Sequence, residues 1–185
     1  MIAFVSTNRG KFREVTARLA PSGIRLRRVD APYPEIQADR LEDVVSYASR
    51  IVATRIRGEF LIDDSGLFID ALNGFPGVYS SYVYRTIGCD GVLRLMRRGV
   101  PRTARFESVV LLGRRGRASK LFRGACTGTI APSVRGSGGF GFDPIFVPRS
   151  RGPTFAEMSL AEKNAVSHRA RAVDALATYL QRRGS

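Results

Sequence analysis

Apolar residues open the chain as a short continuous run, Ile2-Ala3-Phe4-Val5, and after a polar turn Phe12, Val15 and Leu19 recur at helical spacing, which predicts strand, loop and helix in succession. From Ile24 to Val29 apolar Ile24 and Leu26 alternate with Arg25 and Arg27, the pattern of a second strand. Pro32 and Pro34 then favour extended backbone. Leu41, Val44, Val45, Ala48, Val52 and Ile56 mark one face of a long helix, with Asp39 and Glu42 as a capping-box-like start and Gly58 as its end. Phe60-Leu61-Ile62 and Leu67-Phe68-Ile69 are apolar runs, and Asp63-Asp64-Ser65-Gly66 between them is expected as a break in the strand.

Past the turn cluster Asn73-Gly74-Phe75-Pro76-Gly77, residues Val92, Leu93, Leu95 and Met96 predict a short helix. Phe106 to Leu112 and Lys120 to Ile130 flank Gly113-Arg114-Arg115-Gly116 and predict an antiparallel hairpin. A glycine-rich loop, Arg135 to Gly141, precedes a strand-like Ile145-Phe146-Val147 that Pro148 stops. Ser159 and Glu162 form a capping box for one last helix, with Val166, Ala170, Val173, Ala177 and Leu180 as its apolar stripe. Strands and helices alternating early, with an antiparallel pair in the middle, predict a single α/β domain over residues 1–185 with a mixed, curved sheet.

Composition adds bounds. A chain of 185 residues, 44% hydrophobic and 25% charged, has room for one substantial core and is neither collagenous nor disordered. No apolar stretch approaches the roughly 18 residues of a membrane span, and the opening turns polar too early for a signal segment, so a cytoplasmic protein without membrane partners is expected. Cys89 and Cys126 lack CxxC spacing and are expected as free thiols. The net charge of +14 is the abnormal quantity; it implies attraction to polyanions and predicts weak, nonspecific nucleic-acid binding. The plain alternative is a solvated basic surface. Nearly all of that charge is arginine, which singles out the lysines Lys11, Lys120 and Lys163.

Ser6-Thr7-Asn8-Arg9-Gly10-Lys11 lies between a strand and a helix start, where small residues admit an anion to backbone N–H groups, the helix dipole favours negative charge and Lys11 adds a cation. It lacks the Walker A pattern, and an ordinary helix cap would use the same residues. Asp63 and Asp64 follow a buried run, so a cation or strong donors are expected nearby; if strand geometry persists they face opposite sides, and only one would hold a metal or water. Glu35, between Pro34 and Ile36, could complete an oxygen site for Mg2+. Gly136 to Gly141 formally matches GxGxxG, but Phe142-Asp143-Pro144 cannot open the helix a dinucleotide fold requires. Phe140 or Phe142 could instead stack a purine beside an accepting Asp143, or simply fill a core. Lys163, Ser167 and either His168 or Arg169 are expected to flank the last helix's apolar stripe at a pocket edge, although a lone helix histidine commonly has a structural role.

Taken in order, STNRGK (Ser6 to Lys11), PEIQ (Pro34 to Gln37), DDSG (Asp63 to Gly66), NGFPGVYS (Asn73 to Ser80), GFGFDP (Gly139 to Pro144) and FAEMSLAEKNAVSHRARA (Phe155 to Ala172) make the chain resemble the inosine triphosphate pyrophosphatase family, or XTP/dITP diphosphatases. The resemblance runs nearly end to end. It implies an elongated α/β domain with two lobes around a central nucleotide cleft, a Mg2+ requirement, a homodimer, and hydrolysis of non-standard purine nucleoside triphosphates to monophosphate and pyrophosphate, cleansing the nucleotide pool. Carried over by position, it implies that Ser6, Thr7, Asn8, Arg9, Gly10 and Lys11 hold the triphosphate and that Glu35 and Asp64 bind Mg2+. Asp64 would accept the proton, with Lys11 stabilising phosphate charge, and Ser65 would touch the nucleotide. Phe140, Gly141, Phe142, Asp143, Lys163, His168 and Arg169 would surround the base. The chain departs from many relatives at Tyr47, where they carry lysine, with Arg50 one turn on; at Ser81, where some carry lysine; and at Phe142, where some carry tryptophan or tyrosine. The rival readings are a basic nucleic-acid-binding protein on the same fold and a pyrophosphatase for modified pyrimidine nucleotides.

Overall fold

The first apolar run forms β1 (Ile2–Val5), with all four side chains buried, and the helical spacing after it forms α1 (Arg9–Leu19). These and the elements below come from a computed structural model that describes residues 1–34, 36–97, 99–149 and 151–184. The second strand, β2, begins two residues later than expected, at Leu26–Val29, and pairs in parallel with β1. Helix α2 (Leu41–Arg55) buries the expected face, but its N-cap is Arg40, not Asp39, and no side chain caps it. Glu42 does not serve a capping box there; its carboxylate accepts from Arg123 Nε at 2.6 Å. The helix stops at Arg55, ahead of Gly58.

The expected break at the acidic pair does not exist. Strand β3 runs unbroken through it, from Glu59 to Ile69, in parallel with β1 at its start and antiparallel to the two-residue β4 (Pro76–Gly77) near its end. Ladder bonds on both flanks keep the polar residues extended. Helix α3 is much longer than its apolar pattern suggested, Ser80–Leu95, with a non-helical Gly88 (φ 62°, ψ −167°) inside it. Its first turns carry exposed Tyr82 and Tyr84, which give no amphipathic signal. Ser80 anchors its start: Oγ accepts from Leu67 N–H at 2.8 Å and donates to the Gly77 carbonyl at 2.7 Å.

Strands β5 (Thr103–Arg114) and β6 (Lys120–Ile130) are sheet neighbours joined by a short turn closed by Arg117 N–H on the Arg114 carbonyl. So short a connection permits only the antiparallel arrangement expected. Strand β7 (Phe146–Pro148) pairs antiparallel with β6 and includes Pro148. Among the described residues the sheet has seven strands in the order β2-β1-β3-β5-β6-β7, with β4 on β3, and is mixed as expected. The capping box at Ser159 and Glu162 is present, but it starts only α4 (Leu160–Val166). Ser167 is extended (φ −71°, ψ 155°), so the single expected helix is two, the second being α5 (His168–Gly184).

The chain divides into two compact units, each assembled from separated segments: Met1–Asp64, Ser108–Gly124 and Arg169–Ser185 in one, Ser65–Glu107 and Ala125–His168 in the other. The core of the first gathers Phe4, Val15, Leu19, Leu61, Val110 and Val173; that of the second gathers Leu67, Ile69, Phe106, Phe142, Phe146 and Phe155. Each such fully buried side chain contributes about 1.5–3 kcal/mol.

Candidate functional site

In the first unit, the loop after β1 is shaped by its own side chains. Asn8 caps α1, with Oδ1 accepting from Lys11 N–H at 3.0 Å, and Ser6 Oγ accepts from Asn8 N–H at 3.1 Å. Arg28 Nη1 donates to the Ser6 and Thr7 carbonyls at 3.4 Å each. The helix-cap and anion-site readings are thus compatible: the cap fixes the loop, and no acidic residue in the first turn offsets the positive end of the helix. Thr7 and Arg9 are exposed; Ser6, Asn8, Gly10 and Lys11 are half-buried.

Because β3 is continuous, its two aspartates face opposite ways, as strand alternation requires. The Asp63 side chain is fully buried and that of Asp64 keeps 24% exposure. Around Asp63, Ser108 Oγ donates to Oδ1 at 2.6 Å, Arg169 Nε donates to Oδ2 at 3.0 Å, and Lys11 Nζ lies 3.3 Å from Oδ2. Burial alone would raise its carboxyl pKa, but the charges of Arg169 and Lys11 and the bonds from Ser108 and Arg169 outweigh it and hold it well below the usual carboxylate range. Lys11 Nζ also donates to the Asp63 carbonyl at 3.0 Å and lies 3.8 Å from Asp64 Oδ1. Asp63 is therefore an anchor, and Asp64 is the carboxylate that remains open to water.

Arg169, expected beside a base, is 1% exposed, with Nη1 donating to Glu14 Oε2 at 2.5 Å while Nε holds Asp63. Burial acts to lower its pKa, and the two carboxylates more than reverse this, so the guanidinium stays charged. On α2, Tyr47 and Arg50 are both exposed.

Glu35 lies outside the described residues, and among the described residues no three His, Cys, Asp or Glu side chains gather as a metal cluster. The described donor is Asp64. Magnesium is characteristically held by one or two carboxylates together with water and substrate phosphates, so this donor chemistry fits a cation shared with a triphosphate and does not fit a protein-only cage.

In the second unit, the glycine loop closes on Asp143. Its Oδ2 accepts from Phe140 N–H at 2.8 Å and from Lys163 Nζ at 2.5 Å, with both charged side chains 4% exposed. Gly139 (φ 70°) is required at this turn, since a Cβ there would run into the Asp143 carboxylate. Lys163 Nζ also sits 4.8 Å from the Phe140 ring and 5.2 Å from the Phe155 ring. Phe142 is 3% exposed and meets Tyr84 edge-on at 5.4 Å, so it is a core aromatic; half-buried Phe140 is the ring left with access. The His168 imidazole lies flat on Phe106, centroids 4.7 Å apart at 12°. Gly141 and Ser65 are half-buried.

Sequence reasoning passed over Glu14, Ser108, Phe106, Phe155 and Tyr84. Two had signals. Ser108 interrupts the apolar face Phe106, Val110 and Leu112 at a position pointing inward. Glu14 shares a helix face with Lys11, three residues before it. The aromatic partners carried none beyond ordinary core character.

The family model described as "Ham1 family" matches residues 2–179. The chain is 48% identical over 180 residues to the dITP/XTP pyrophosphatase of Thermococcus kodakarensis, covering 97% of each, and 48% identical over 180 residues to that of Pyrococcus horikoshii, covering 97% of this chain and 96% of the other. Among solved structures, a HAM1 protein from Coxiella burnetii superposes with a TM-score of 0.84 at 31% identity, covering 98% of this chain and 100% of the other. A nucleoside-triphosphatase / dITP/XTP pyrophosphatase from Mycobacterium abscessus superposes with a TM-score of 0.72 at 34% identity, covering 95% and 97%.

Proposed function

Because the chain belongs to the Ham1 family, we propose that it hydrolyses the non-standard purine nucleoside triphosphates ITP, dITP and XTP to the monophosphate and pyrophosphate. The observation that carries the proposal is the division of labour between neighbouring carboxylates: Asp63, buried, positions Lys11, while Asp64 stays open to solvent beside the same ammonium.

In this reading the Ser6 to Lys11 segment takes the phosphates, through backbone N–H groups at the start of α1 and the Lys11 charge. Asp64 orients a water molecule and accepts its proton as the oxygen bonds to phosphorus and the bond between the α and β phosphates breaks, with pyrophosphate leaving. Mg2+, held by Asp64 and Glu35, would supply charge neutralisation on the phosphate oxygens. Ser65 contributes a hydroxyl to the nucleotide.

Base selection is assigned to the second unit. Phe140 offers a stacking face, and Lys163 and Asp143 hold the loop that presents it; His168, flat on Phe106, stiffens the same unit. Because Arg169 Nε and Nη1 already donate to Asp63 and Glu14, and Asp143 N–H to the Phe140 carbonyl, the donor to the purine C6 oxygen is assigned to the main-chain N–H of Gly141 or Phe142. The homodimer, the cytoplasmic location and the cleansing of the nucleotide pool rest on the family resemblance; among the described residues no helix is long and apolar enough to cross a membrane. Pyrophosphate release from a panel of nucleoside triphosphates, with and without Mg2+, tests the whole reading. Release from ITP and XTP that requires Mg2+ supports it, and equal release from ATP overturns the assignment of the base site.

A further inference from the structure

The proposed hydrolysis leaves the excess positive charge without a role, and one dense group of that charge lies within the first unit. Every residue from Arg114 to Lys120, the tip of the β5–β6 hairpin, is exposed, and the segment carries Arg114, Arg115, Arg117 and Lys120 with no acid. Neighbouring side chains place other cations beside it. Gly113 lies so close to Phe60 that a Cβ would strike the ring, which sets the tip beside the start of β3 and exposed Arg57. Lys120 Nζ sits 4.2 Å over the Tyr179 ring, which also meets Phe122 at 5.5 Å, bringing in the last turns of α5 with Arg182 and Arg183. Arg183 Nη2 closes the group, 2.6 Å from Glu59 Oε1, the one carboxylate among these residues.

We propose that this end of the first unit is a docking surface for the phosphate backbone of double-stranded nucleic acid. Guanidinium groups suit phosphate oxygens, which they meet bidentately, and a protruding exposed hairpin reaches a duplex without a cleft. The aromatic rings at this end are occupied: Phe122 is 7% exposed and Tyr179 lies under Lys120, so no platform is offered to unstacked bases of a single strand. The hairpin tip itself carries no large apolar side chain, so it lacks the wedge that would insert into a lipid interface. What remains is backbone recognition without base reading.

The test compares two quadruple variants of the full chain, the hairpin set Arg114, Arg115, Arg117 and Lys120→Ser and a control set of exposed arginines from the second unit, Arg94, Arg97, Arg149 and Arg151→Ser. Neither set includes a residue assigned to hydrolysis, so retained ITP turnover and circular dichroism confirm that each variant is folded. Anisotropy of a fluorescent 20-base-pair random-sequence duplex is read against salt. The hairpin set is expected to bind at least about tenfold more weakly at low salt and to flatten the salt slope by about 0.9 for each phosphate it no longer neutralises, while the control stays within about twofold. Equal weakening in both variants, unchanged binding by the hairpin set, or preference of the unmutated protein for anionic phospholipid vesicles or single strands at equal phosphate would each overturn the proposal.

Discussion

Lys11 and Asp63, 52 positions apart in sequence, are joined at both main chain and side chain: Nζ donates to the Asp63 carbonyl at 3.0 Å and lies 3.3 Å from its carboxylate. The ammonium is therefore aimed by the strand it touches. Lys11→Ala is expected to lower kcat/KM for ITP by at least about a hundredfold, the scale of removing one charge-stabilising donor. Lys11→Arg should recover only part of this, because a planar fork does not reproduce a compact ammonium in so tight a setting. Full recovery in steady-state kinetics would show that position, not shape, is all the site demands.

The two aspartates of β3 should respond oppositely to the same change. Asp64→Asn is expected to remove at least about a hundredfold of hydrolysis while leaving thermal unfolding nearly unchanged. Asp63→Asn removes the buried partner of Arg169 and should cost about 3–5 kcal/mol of stability. Kinetics and calorimetry on both variants decide the point; a stable, inactive Asp63→Asn together with an active Asp64→Asn would reverse the roles assigned.

Glu14 should matter although no reaction step uses it. Its carboxylate is the second partner of buried Arg169, so Glu14→Ala is expected to cost about 3 kcal/mol. For a chain of this length that lowers Tm by about 6–12 °C. The ratio of kcat/KM between ITP and ATP should not move. A changed ratio with unchanged Tm would place Arg169 at the base after all.

Cys89 is a poor nucleophile by environment. Burial first, then the charges of Asp90 and Asp143, push its thiol pKa up to about 11. A raised pKa means less thiolate at any pH below it, so alkylation by iodoacetamide should be slow at about pH 8 and accelerate through about pH 10 to 11. Mass spectrometry of timed reactions would show this. Rapid modification at neutral pH would mean that the segment around Gly141, whose carbonyl faces the thiol at 3.7 Å, opens readily.

Substrate choice gives the remaining expectation. A main-chain N–H matched to a C6 oxygen is left unpaired by adenine, at a cost of a few kcal/mol, so ATP should trail ITP by up to about 10⁴ in kcat/KM. GTP shares the oxygen and must be rejected at its 2-amino group, with ITP and XTP leading by at least about tenfold.

The elements legible in the sequence were those with a continuous apolar run, β1, or a periodic apolar face, α1, α2 and the hairpin strands, together with the capping box at Ser159. What escaped was set by partners distant in the chain. The strand through Asp63-Asp64-Ser65 persists because its neighbours supply ladder bonds, which local polarity does not report. The break at Ser167 lies between two runs that are each good helix formers. The candidate site residues were named from motifs, and the sequence separated Asp63 from Asp64 only on the condition that strand geometry persisted through the expected break, which it does. Their ranking needed tertiary information, since only the meeting of Arg169, Ser108 and Lys11 around one carboxylate shows which of the two is spent on structure.

The interleaving of the two units bears on biosynthesis. The first unit takes Phe4, Val15 and Leu61 from the early chain but Ala172, Val173 and Leu176 from α5, and the arginine that bridges Glu14 and Asp63 arrives only with residue 169. Translation runs from the N-terminus at about 5–20 residues per second. The nascent chain must therefore carry an incomplete core and two carboxylates without their arginine until nearly all of it has been made, and a ribosome stalled before α5 would present a species for chaperones to hold, not a smaller working enzyme.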